Sequence, residues 1–226
     1  MPALFAIPPE LYHMPGFYDP FSAISHLVGV VAFLVLGAIL LWRGRGSRVR
    51  LFYLGVYAFS CVFLFTMSMC FHMMVVGGTA RRVMERLDHS AIFILIAGTF
   101  TPAYGILYTG WRRWAPLLFV WTCAITGITL EAIFFDNLPE TLGLSIYLGL
   151  GWFGAFSTYF LARRFGLPFV KPLIWGGLAY TVGAVMEHFG WFVIVPGVVH
   201  AHELFHLFVL LGAGFHWWFV WEIADG

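Results

Sequence analysis

The chain has 226 residues, of which 61% are hydrophobic and only 10% are Asp, Glu, Lys or Arg, for a formal net charge of +1. Its mean hydropathy is +0.88. Soluble domains carry about 25% charged residues, so this composition excludes a water-covered globule, and so few basic residues exclude a nucleic-acid-binding surface. What remains is a polytopic membrane protein.

The opening stretch, MPALFAIPPELYHMPGFYDP, lacks the basic start and small-residue cleavage site of a signal peptide. Residues 1–21 are expected to lie at the interface as an aromatic segment, with Pro20 leading into the first helix. Blocks of about twenty apolar residues, the length that crosses a hydrocarbon core of about 30 Å, then follow at 22–42, 51–75, 90–109, 114–134, 143–162, 172–194 and 203–221. Turn or charge signals separate them, such as RGRGSRVR, GGTARRVMERLD, GWRRW and FFDNLPE. Only helices and closed barrels satisfy every backbone group in lipid, and blocks this uniform are helical. The expected fold is therefore all-α, a seven-transmembrane-helix bundle forming one domain over 22–221 with a short tail at 222–226. Cys61, Cys70 and Cys123 fall within apolar spans and form no disulfide framework.

Arg43, Arg45, Arg48, Arg50, Arg112, Arg113, Arg163, Arg164 and Lys171 all fall in connections on one side of such a bundle. The positive-inside rule makes that side cytoplasmic and puts the amino terminus outside. The predicted location is a cell membrane, the inner one of a bacterium.

Ionisable groups inside a membrane span are functional candidates by default. Four stretches carry them: Ser25 and His26 in FSAISHLVG, Ser68 and His72 in TMSMCFHMM, Asp88 and His89 in RLDHSAIF, and His200, His202, Glu203 and His206 in VVHAHELFH. Threading the chain up and down puts the starts of helices 1, 3 and 7 and the end of helix 2 on the same side. His202 and His206 are four apart and share one helix face. With His72 they make three imidazoles, the number of protein ligands that leaves a catalytic zinc with an open position. Water on such an ion ionises near pH 7. Asp88 is expected either to take its proton or to orient a ligand imidazole, and Ser68 to hydrogen-bond the water or a reacting oxyanion. Capping of the third helix by Asp88 is the structural alternative. His26 and Glu203 are expected to stand around the metal rather than on it.

HELFH also matches the HExxH pattern of zinc proteases. Only twenty residues follow His206, and His216 lies ten residues along the same helix, out of reach of the same ion. The protease reading is set aside.

SAISHLVG, SMCFH, RRVMERLDHSAIFILIAGTFTP, GGLAYTVGAV and HELFHLFVLLGAGFH occur here in one order. In them the sequence resembles the progestin and adipoQ receptor/haemolysin-III family, to which the alkaline ceramidases are related. The resemblance implies zinc on His72, His202 and His206, roles for Ser68 and Asp88 beside it, and a ceramidase-like hydrolysis of lipid amides. Membrane lipids and a lipid-amide substrate are the expected partners. A receptor with a structural zinc and a haemolysin-type pore are the rival readings. The adiponectin-receptor branch carries its amino terminus and zinc on the cytoplasmic side, the reverse of the charge count.

Overall fold

The computed structural model describes residues 14, 16–135, 140–196 and 198–225, with the side chains of the fifth helix described from residue 145 onward. Most of the expected interfacial segment, residues 1–13 and 15, lies outside them. So do Asp136 and the FFDNLPE connection beyond Phe135. Seven helices follow one another: α1 (Pro20–Arg43), α2 (Arg48–Met73), α3 (Thr79–Leu107), α4 (Trp111–Phe134), α5 (Glu140–Phe165), α6 (Leu167–His188) and α7 (Ala201–Glu222). Among the described residues six of these, all but α5, are individually long and apolar enough to cross a membrane. No strand is found among the described residues beyond two isolated bridges. The protein is an integral, multi-pass helical membrane protein.

Local signals fix the helix ends. Pro20 opens α1, where a missing N–H costs nothing, and Ser47 accepts a 3.4 Å hydrogen bond from the Arg50 backbone at the start of α2. Gly77, with φ +91°, turns the chain between α2 and α3. Two expected boundaries are corrected. α3 begins at Thr79 rather than near residue 90, because ARRVMERL is polar yet rich in good helix formers, so the helix outlasts the apolar run. Asp88 is thus well inside the helix and does not cap it. α6 ends at His188 rather than 194, where Gly190 and Phe192 take positive φ.

Seven passes leave two unlike faces, and contacts define both. At one, the Asp19 backbone N–H donates to the His72 carbonyl at 2.9 Å, joining the entrance of α1 to the exit of α2. At the other, Arg43 pairs with Asp225 at 2.9 Å and Arg50 bonds the Asp225 carbonyl, pinning the ends of α1 and α2 to the carboxyl terminus. The closest helix pairs are α2 with α3, α6 with α7 and α1 with α2, and α1 meets α7 to close that side of the bundle.

Small residues make these approaches possible. α6 and α7 interlock reciprocally: a Cβ at Gly176 would lie 2.3 Å from the His216 ring, and one at Gly212 would lie 2.8 Å from the Tyr180 ring. Each helix thus seats an aromatic ring of the other on a bare backbone. His216, unpartnered in the sequence reading, is an interhelical packing group, edge-on to Tyr180 at 5.3 Å between centroids. Tyr57 reaches across from α2 to donate to the Ala213 carbonyl at 3.2 Å.

Candidate metal centre

One layer of the bundle, beneath the face where α2 ends and α7 begins, collects the imidazoles. His72 is in the last turn of α2 and 2% exposed, and His206 in α7 is equally buried. One ligand atom from each of His72, His202 and His206 lies within 4.8 Å of the other two. The i,i+4 spacing on α7 brings the His202 and His206 rings to 4.5 Å between centroids, with His72 4.8 Å from His206.

Two carboxylates orient this set. His72 Nδ1 lies 3.1 Å from Asp19 Oδ2, and His202 Nδ1 lies 2.6 Å from Glu187 Oε1. A carboxylate accepts, so each Nδ1 carries the proton and each Nε2 presents a bare lone pair. Those two Nε2 atoms face one another at 3.2 Å. At that distance the two nitrogens share either a proton, as a hydrogen bond, or a cation. Asp19 is itself held by Arg81 at 3.1 Å, and Arg81 is anchored on the Met74 carbonyl. Burial works against the charge of Asp19, but its bonds to His72 and Arg81 keep its carboxyl below the usual range.

The donor set fits zinc. Zn–N bonds of about 2.0–2.1 Å with tetrahedral angles space ligand nitrogens roughly 3.3–3.4 Å apart, close to the His72–His202 separation of 3.2 Å. His206 adds a third buried ring, with a ligand atom within 4.8 Å of those of the other two. Imidazoles whose far nitrogen is braced by a carboxylate are the usual surroundings of a bound metal.

The remaining candidates fall on either side of this cluster. Ser68, one turn before His72, is 2% exposed and hydrogen-bonds Asp88, whose charge is felt at His72 and His202. Asp88 thus stands beside the imidazoles without ligating in their place. His26 stacks on His206 at 3.9 Å and 10°, with neither ring nitrogen in a hydrogen bond of good geometry among the described residues. Glu203 turns away from the cluster. Its Oε1 accepts from Ser22 at 3.2 Å and its Oε2 from the His200 backbone at 2.9 Å, so it caps α7 and ties it to α1. His89 points to Glu131, 3.9 Å away, whose other oxygen accepts from Tyr147 at 2.8 Å.

Sequence reasoning singled out neither Asp19 nor Glu187. The signal available was their place: both stand where helices end or begin on the imidazole side, and a metal-bound histidine needs an acceptor for its second nitrogen.

The chain has relatives among known proteins. A profile of haemolysin-III-related proteins matches residues 18–217. The chain is 31% identical over 196 residues to the protein named Hemolysin-3 of Bacillus cereus, covering 85% of each chain. It is 29% identical over 198 residues to the Hemolysin-3 homolog of Bacillus subtilis (strain 168), covering 85% of this chain and 87% of that one. The human monocyte to macrophage differentiation factor is 26% identical over 176 residues, covering 74% and 68%. With the match spanning all seven helices, the chain belongs to the haemolysin-III-related family of multi-pass membrane proteins.

Proposed function

We propose that the protein is a zinc-dependent membrane hydrolase that cleaves the amide bond of a membrane lipid, with ceramide-like molecules the first candidates. The observation that carries the proposal is three converging imidazoles, two braced on carboxylates, with the Ser68–Asp88 pair at their side. His72, His202 and His206 would hold the ion, and zinc so bound supplies a Lewis acid and brings the ionisation of water near neutrality.

The chain's own groups divide the rest of the work. Asp19 and Glu187 fix the tautomers of His72 and His202 so that both Nε2 lone pairs face inward. Hydrolysis adds water to the amide carbon and breaks the C–N bond, so one proton must leave the water and one must reach the departing amine. Asp88 is placed to carry it, accepting and then releasing at its carboxylate, and Ser68 Oγ holds that carboxylate in register. The site lies just under one face of an apolar bundle, which suits a substrate whose acyl chain stays among the helices while its amide rises to the polar layer.

The test is elemental analysis of purified protein beside His206→Ala, with fatty-acid release from acyl-amide lipids assayed on the same samples. The expected result is one zinc per chain, lost in the variant together with product. Zinc at full occupancy with no fatty acid from any sphingolipid or acyl amide would leave the ion as a structural fastening and end the hydrolase reading.

A further inference from the structure

At the face opposite the imidazoles, α2, α3 and α4 leave a cleft of about 240 Å³ between them, lined by Phe52, Tyr53, Val56, Thr101, Trp114 and Leu118 among others. The Thr101 hydroxyl is already spent: Oγ1 donates to the Ala97 carbonyl at 2.9 Å and accepts from Trp121 Nε1 at 3.1 Å, and Tyr53 presents its ring to the lining. The cleft therefore offers only apolar and aromatic surface. It opens outward through Phe52, Trp114 and Leu118, which are 66%, 50% and 61% exposed, so its occupant arrives from the hydrocarbon.

Two arginines belong to the helix starts at its polar end. Arg48 opens α2 one turn before Phe52, on the same helix face as that wall of the cleft. No salt bridge or hydrogen bond holds its side chain among the described residues. Arg113 comes from the start of α4, where its Nε donates to the Tyr108 carbonyl at 2.7 Å and its guanidinium carbon lies 5.8 Å from the Tyr53 ring. Tyr53 is itself fixed, because its ring lies over Gly105, where a Cβ would come within 2.6 Å. Of the acids at this end, Asp225 is engaged by Arg43 and Arg50, and Glu222 makes no ion pair with Arg48 or Arg113 among the described residues. The two guanidinium groups at the cleft are left without a counter-charge.

We infer that this cleft is a binding site for an anionic phospholipid, with an acyl chain between α2 and α4 and the phosphate between Arg48 and Arg113. An acyl segment matches the saturated apolar lining. A phosphate supplies the charge that Arg48 and Arg113 lack, and Arg binds it bidentately. The site is independent of the metal centre and of any catalysis there.

The experiment reconstitutes the full-length protein with phosphatidylglycerol or phosphatidylcholine bearing a photoreactive group on the acyl chain, and maps the labelled residues by mass spectrometry. Phosphatidylglycerol should label the 52–56 and 114–121 stretches at least fivefold more than phosphatidylcholine does. Each arginine near a lipid surface contributes about fivefold to the attraction of an anionic lipid, so Arg48→Gln with Arg113→Gln should abolish that preference. Arg45→Gln with Arg163→Gln, on the same face but away from the cleft, should leave it intact. Equal labelling by the two lipids, or an equal loss in both double variants, would mean that only the general charge of this face is at work and would overturn the site. Arg45, Arg48 and Arg163 are exposed, and because Arg113→Gln also gives up the bond to the Tyr108 carbonyl, an unchanged thermal midpoint of each double variant is checked beside the labelling.

Discussion

Replacing Glu187 by Gln and Asp19 by Asn tests whether the carboxylates orient the imidazoles. Each change keeps the side chain's size and an acceptor oxygen but removes the charge that fixes Nδ1–H. Loss of such a partner weakens metal affinity 10- to 100-fold, about 1.4–2.7 kcal/mol. The structure ranks the two. The His202–Glu187 pair is the shorter, at 2.6 Å, but its side chains are 32% and 28% exposed, so water can replace the lost acceptor and screening reduces the charge effect. The His72–Asp19 pair is 3% and 11% exposed, where nothing else can serve. Asp19→Asn is therefore expected near the hundredfold end and Glu187→Gln near the tenfold end, despite the longer bond in the first. Zinc competition against a chromophoric chelator in detergent solution measures both. Affinities within twofold of wild type for both variants, with His206→Ala abolishing binding in the same assay, would refute the bracing argument.

Stripping the metal with a chelator should lower the thermal midpoint, since an ion present at 100 times its dissociation constant stabilises by about 2.7 kcal/mol; His206→Ala should be indifferent to the same treatment in a thermal scan. Glu203→Ala removes a helix cap and the partner of Ser22, and should cost about 1–2 kcal/mol of stability while zinc stoichiometry by elemental analysis stays at the wild-type value. Gly176→Ala drives a methyl to within 2.3 Å of the His216 ring and should destabilise by about 1–3 kcal/mol; adding His216→Ala should recover part of the loss in the same denaturation measurement.

The seven spans were legible because lipid imposes one rule on every stretch, and a twenty-residue apolar block obeys it wherever it occurs. The convergence of His72, His202 and His206 followed from counting passes and from the i,i+4 spacing on α7. Less visible was anything carried by polar sequence. The first three turns of α3 are charged and helical at once, so hydropathy started that helix too late and left Asp88 looking like a cap. Asp19 and Glu187 are 53 and 15 residues from the histidines they hold, and no local pattern encodes either pairing. Glu203, expected beside the ligands rather than among them, bonds Ser22 and the His200 backbone, a pairing 181 residues apart in the case of Ser22 that HELFH does not encode.

The fastenings of the bundle are unlike at its two ends. At the arginine-rich end, Asp225 grips both α1 and α2 through permanent side-chain and backbone bonds, while α6 and α7 are welded by rings seated on Gly176 and Gly212. At the other end, α2 meets α7 through imidazoles. The molecule is built like a book with a bound spine and a clasp: the spine is the set of bonds between helix ends and the carboxyl-terminal turn, and the clasp is three rings from two helices, two of them steadied by carboxylates.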